Sequence, residues 1–98
     1  MVKYGLLATL EAKPGKEAEL AALLTGALPM AQRESETRTW YAFRKGPATF
    51  GIFDTFDDEQ GRQAHLEGQI AKALMDNADR LLASPPTIDR IDLVAAKQ

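Results

Sequence analysis

The apolar positions of the chain fall into six stretches, each of which marks an element. From Lys3 to Ala12, apolar side chains (Tyr4, Leu6, Leu7, Ala8, Leu10) fall on both parities, which predicts a strand covered on both faces. Lys13-Pro14-Gly15 ends it. A helix is expected from Gly15 or Lys16. Leu20, Leu23, Leu24, Ala27 and Leu28 form one stripe at i, i+3, i+4, i+7 and i+8, with Glu17 and Glu19 at the positive end of the helix dipole. Pro29 cannot donate to the Thr25 carbonyl, so a kink or break is expected there, with a further turn or two over Met30–Glu34. Period two returns in Thr37–Lys45 and again in Thr49–Phe56. These flank the turn signal Gly46-Pro47 and predict an antiparallel hairpin. In the second strand of the pair, Phe50, Ile52, Asp54 and Phe56 share one face, and Thr49, Gly51, Phe53 and Thr55 the other. Asp57 or Asp58 can cap a second helix, which carries Gly61, Ala64, His65 and Gly68. Its apolar stripe continues through Ile70, Ala73, Leu74, Leu81 and Leu82 to Ala83. Ser84-Pro85-Pro86 closes it, and Thr87–Ala96 is the last expected strand.

The order β-α-β-β-α-β predicts an α+β, ferredoxin-like domain over residues 1–98: a four-stranded antiparallel sheet with helices on one face. One helical layer covers one sheet face, yet the strands carry apolar side chains on both. A homodimer joined through the uncovered face is the simple way to bury the remainder.

Composition narrows the chemistry. The 98 residues hold 12 Lys and Arg against 14 Asp and Glu, a formal charge of 12 − 14 = −2, which disfavours nucleic acid as a partner. There is no cysteine and one histidine, so thiolate sites, cysteine nucleophiles and two-histidine metal motifs are excluded. No apolar run is long enough for a membrane span, and the first residues lack a signal-peptide layout, so a cytoplasmic location is expected. Asp57-Asp58-Glu59 are explained by a helix N-terminus without a metal, and Gly61 and Gly68 do not form a phosphate loop.

Three segments, in order, carry a family resemblance. They are Ala12-Lys13-Pro14-Gly15-Lys16 at the entry to helix one, Glu34-Ser35-Glu36-Thr37 followed by Trp40, and Asp54-Thr55-Phe56-Asp57 followed by Ala64-His65. Over nearly its whole length the chain resembles the antibiotic biosynthesis monooxygenase domain, a family of dimeric α+β barrels. Glu36 stands where that family usually has glycine, Asp54 where glutamate is commoner, and Pro29 in a helix usually continuous; a different local turn is expected at Glu36. The resemblance implies oxygenation of a quinol or polyphenolic aromatic without metal or flavin. An electron-rich phenolate can itself reduce dioxygen, so the protein need only bind it, help deprotonate it and exclude water. Haem-degrading members carry an asparagine on strand one and a tryptophan on strand three. Neither is present here, so haem degradation ranks low.

His65 and Asp54 are the candidate catalytic residues. His65 exchanges protons near neutral pH, or is a core or surface histidine held by one hydrogen bond. A carboxylate on the apolar face of Asp54 needs a partner. An ion pair with Arg38, Arg44 or Arg90 is the favoured reading, and a pocket acid of raised pKa the sharper one. Trp40, Tyr41, Phe43, Phe53 and Phe56 are candidate aromatic-ligand residues, although strand aromatics are more often core or interface. Trp40 and Tyr41 must face opposite sides; one is expected at the pocket and the other at the dimer interface, with Trp40 the family-matched pocket residue. Asn77 is a further ligand candidate, or a solvated amide. The rival function is a non-catalytic dimeric binding module for a small hydrophobic ligand, and the discriminator is whether His65 and Asp54 converge.

Overall fold

The computed structural model describes residues 1–98. Strands β1 (Tyr4–Glu11), β2 (Thr37–Arg44), β3 (Thr49–Phe56) and β4 (Thr87–Asp92) form one antiparallel sheet in the order β2-β3-β1-β4. Helix α1 (Glu17–Arg33) links β1 to β2. Two helices, α2 (Glu59–Leu66) and α3 (Gln69–Leu81), lie between β3 and β4. This is the expected ferredoxin-like α+β order, with the second helical stretch divided at Gly68, whose backbone is extended as it opens α3.

Cross-strand register separates the two sheet faces. Leu10 pairs with Phe50, Ala8 with Ile52 and Leu6 with Asp54, while Trp40 and Ala42 sit opposite Asp54 and Ile52 from the other side. Ala8, Leu10, Phe50 and Ile52 meet Leu20, Leu24, Ala27 and Ala31 of α1 and Ile70, Leu74 and Leu81 of α3 in one buried cluster. The opposite face carries Leu7, Phe53, Tyr41, Phe43 and Ile91. Tyr41 is 59% exposed there, and no helix covers it. The Phe43 ring lies over Gly51, its cross-strand partner, where a side chain would collide with it.

Two sequence expectations need correction. Helix α1 runs through Pro29 to Arg33 without a break. Thr25 and Pro29 are both exposed, so the carbonyl that loses its donor faces water, and the Thr25 hydroxyl donates to the Ala21 carbonyl at 2.9 Å. Strand β4 ends at Asp92 rather than Ala96. Its ladder partner β1 begins at Tyr4, opposite Asp92, and only one further bond, from Leu93 N–H to the Lys3 carbonyl, continues the line.

Gly26 lies in the interior of α1, exposed, and a β-carbon there would meet no atom within 4 Å. Helix propensity then acts alone. Gly26→Ala is expected to stabilise the protein by about 1 kcal/mol, raising the thermal midpoint by about 4–8 °C in a scan against the parent chain.

Candidate functional site

Asp54 points from β3 into the helical side of the sheet, among Phe50, Ile52 and Phe56, and its side chain is 2% exposed. The first turns of α2 bring a partner above it. Asp58 caps that helix by accepting from Gly61 N–H at 2.8 Å, and two turns later His65 faces the sheet. His65 Nε2 lies 2.9 Å from Asp54 Oδ2. On the other side of the ring, Nδ1 lies 2.6 Å from Glu34 Oε1. The imidazole is thus held between two carboxylates, with the Phe56 ring centroid 5.5 Å from its own.

Glu34 caps the C-terminus of α1 in an extended conformation. Its Oε1 also accepts from the Thr37 hydroxyl at 2.7 Å, while Oε2 takes no hydrogen bond from the chain. Non-glycine residues all keep negative φ, so the chain passes Glu36 without the left-handed turn that a glycine serves elsewhere in the family resemblance. Two glycines let α2 come this close. A β-carbon at Gly61 would stand 3.1 Å from that of Glu36, and one at Gly68 3.3 Å from Glu34 Oε2.

Glu34 and His65 form one wall of a cavity of about 490 Å³ between the end of α1, the α1–β2 turn, α2 and the start of α3, with Asp54 buried behind the imidazole. Met30, Arg33, Glu34, Thr37, His65 and Gln69 line it, and Met30 and Ala64 are its hydrophobic lining residues. Burial opposes charge on both Asp54 and His65. For Asp54, desolvation dominates and raises its pKa against the counter-pull of His65. For His65, desolvation would lower it, but the hydrogen bonds and charges of Asp54 and Glu34 outweigh that, and the net direction is up. Both shifts favour retention of a proton on the Asp54–His65 pair.

Two buried polar atoms have no hydrogen-bond partner, Asp54 Oδ1 and Trp40 Nε1. They belong to directly opposed residues of β3 and β2, on the face that packs against the helices.

The sequence candidates divide into two groups. His65 and Asp54 converge; Trp40, expected at the pocket, faces the same side of the sheet but does not line the His65 cavity, lying instead in a separate hollow with Leu28, Ala31 and Arg38 at the edge formed by β2. Tyr41, Phe43 and Phe53 lie on the far sheet face and do not line the cavity, because strand residues alternate. Phe56 is fully buried beneath His65, a packing residue. Asn77 donates to the Ala73 carbonyl and accepts from Arg80 on the outside of α3, away from the cavity. The arginine partners expected for Asp54 are engaged elsewhere. Arg38 pairs with Asp57, Arg90 with Glu59, and Arg44 bonds turn carbonyls while lying over the Phe50 ring. Each of these arginines reaches solvent at the sheet margin, where its charge stays hydrated. Glu34 was not singled out as functional in the sequence. The signal that could have found it is its place at a helix C-terminus, where the dipole disfavours a carboxylate unless a cation or donor offsets it.

No protein-family model matches the chain, and no curated protein sequence matches it. Solved structures do. Proteins from Caulobacter crescentus (TM-score 0.82, 18% identity, 96% of this chain and 92% of that one) and Deinococcus radiodurans (TM-score 0.83, 19% identity, 97% and 96%) are both provisionally named antibiotic biosynthesis monooxygenases. The chain therefore has the fold of the antibiotic biosynthesis monooxygenase domain. More specifically, it belongs to the family of the Nitrosomonas europaea protein NE2512, a protein of unknown function. The two are 59% identical over 100% of this chain and 95% of that one, with a TM-score of 0.98. No helix is long and apolar enough to cross a membrane.

His65 carries the pH dependence. Its pKa in the folded chain exceeds the unfolded value of about 6.5, so its stabilising contribution is complete below that pH and is lost as pH rises through the folded pKa. Imidazole C–H resonances are expected to titrate above about 6.5 in the parent and at a lower pH in Glu34→Gln. In thermal scans, His65→Gln should cost more stability at pH 6 than at pH 9 (roughly 1–2 kcal/mol at the lower value).

Proposed function

We propose that the chain is a cofactor-independent monooxygenase that oxidises a quinol or polyphenolic aromatic with dioxygen in the His65 cavity. The observation that carries this reading is the Glu34–His65–Asp54 chain, which gives the cavity a carboxylate oxygen backed by a buried imidazole. The provisional names of the Caulobacter and Deinococcus proteins of like fold point the same way. His65 has both ring nitrogens engaged, so the group that takes the substrate proton is Glu34, through Oε2. The imidazole shares the charge change with Asp54. Overall, a quinol and dioxygen become a hydroxyquinone and water. One oxygen atom enters the ring and the other leaves as water with two hydrogens of the quinol. The phenolate supplies the electrons, and the protein binds and orients it.

Oxygen uptake by metal-stripped protein with a panel of reduced quinones and polyphenols tests this. Saturable uptake above spontaneous autoxidation is expected, reduced roughly 100-fold or more in Glu34→Gln and in His65→Ala. Binding of the same compounds with no uptake would replace the enzyme by a small-ligand binding module.

We also propose that a second copy of the chain covers the open sheet face, placing Tyr41, Phe43 and Phe53 at the interface. Tyr41 and Phe43 are exposed and Phe53 is half-buried on a face without helices, which supports it. Sedimentation should give a dimer mass, and Tyr41→Asp should weaken association by roughly tenfold or more. A monomeric parent chain at high concentration would overturn the proposal.

A further inference from the structure

Beside the His65 cavity lies a second hollow of different character. It is a groove of about 230 Å³ between α1 and α3, lined by Leu23, Gly26, Ala27, Met30, Ile70 and Leu74 among others, nearly all apolar. Met30 lines both spaces, so the groove adjoins the His65 cavity at that side chain. Met30 is only partly buried against the core, and its unbranched side chain can shift without disturbing the helix.

Gly26 lines the groove without a side chain. A glycine in a helix interior is unfavourable, and this one is not required by packing, since no atom lies within 4 Å of where its β-carbon would be. What its missing side chain leaves is room beside Leu23 and Met30. The occupant is limited by size and position. The space suits a short hydrocarbon chain rather than a peptide or a second protein. The apolar surface left for a second copy is on the other side of the sheet.

We infer that the α1–α3 groove takes the short alkyl substituent of a hydroxylated aromatic whose ring and hydroxyl occupy the His65 cavity. This rests on the reading of that cavity as a site for phenolic compounds, and it specifies the class as amphipathic, alkyl-bearing phenols or quinols. Met30 stands between the two compartments and packs against the ligand at the junction of ring and chain.

Binding of phenol and of para-hexylphenol to the full chain, followed by calorimetry and by the amide resonances of Gly26 and His65, tests it. The parent should bind para-hexylphenol roughly tenfold or more tightly than phenol, with shifts at both amides, because each buried methylene adds affinity. Gly26→Leu adds a side chain at the groove, with its β-carbon clear of every neighbouring atom, and favours the helix. It should abolish the preference and leave phenol binding and its His65 shift unchanged. Ala22→Leu, on the groove's exposed rim, should reduce the preference in part. Equal affinity for the two compounds, or a preference that survives Gly26→Leu, would overturn the groove while leaving the phenolic cavity intact. Binding of neither compound would overturn the phenolic reading and the groove with it.

Discussion

A carboxylate buried among Phe50, Ile52 and Phe56 is unstable there unless something offsets its charge. Much of the local architecture provides that offset. Burial of an unpaired ion is costly, and an imidazole that can hold a proton is a compact counter-group. For His65 to stand over Asp54, α2 must lie close against the α1–β2 turn, and Gly61 and Gly68 permit this. For His65 to remain charged, a second carboxylate must face its other nitrogen, and the C-terminus of α1 delivers Glu34. Three elements remote in sequence are thereby joined through one ring. The cavity exists because α1 must end beside α2 to close that arrangement.

The helix ends are part of the same balance. Asp58 and Glu34 are both acids, at opposite kinds of terminus. Asp58 accepts from Gly61 N–H at the start of α2, where the dipole and a free donor favour it. Glu34 sits at the end of α1 against the dipole, and the His65 and Thr37 donors offset that cost. An acid in an unfavourable local position that is nevertheless well bonded marks a place where tertiary structure outweighs local preference.

The sheet was legible because period two is strong in β2 and β3: the limits of β3 and the assignment of its faces follow from alternation alone. The need of Asp54 for a partner was legible too, since an acid between Ile52 and Phe56 violates the pattern. The partner was not. Register relates strand to strand, so Arg38, Arg44 and Arg90 came to mind first. The angle at which α2 crosses the sheet is set by packing that no short-range pattern encodes. The same holds for the aromatics: alternation puts Trp40 and Tyr41 on opposite sides, but which of the strand aromatics reach the cavity depends on where the helices cross, and none of Trp40, Tyr41, Phe43 and Phe53 lines it. The division of the second helical stretch was hidden because its apolar stripe continues past Gly68 in phase.

Strand β3 writes two messages in alternate letters. Asp54 belongs to the chemistry beneath the helices, while its neighbours Phe53 and Thr55 belong to the bare side of the sheet. Within Phe50–Phe56, therefore, single-residue insertions and deletions are a distinct hazard from substitutions. One extra residue would turn the acid outward and drive Phe53 toward His65, exchanging the two surfaces at once. Length variation in this family should accordingly gather in the Gly46-Pro47 turn and the Ser84-Pro85-Pro86 connection, and spare this strand.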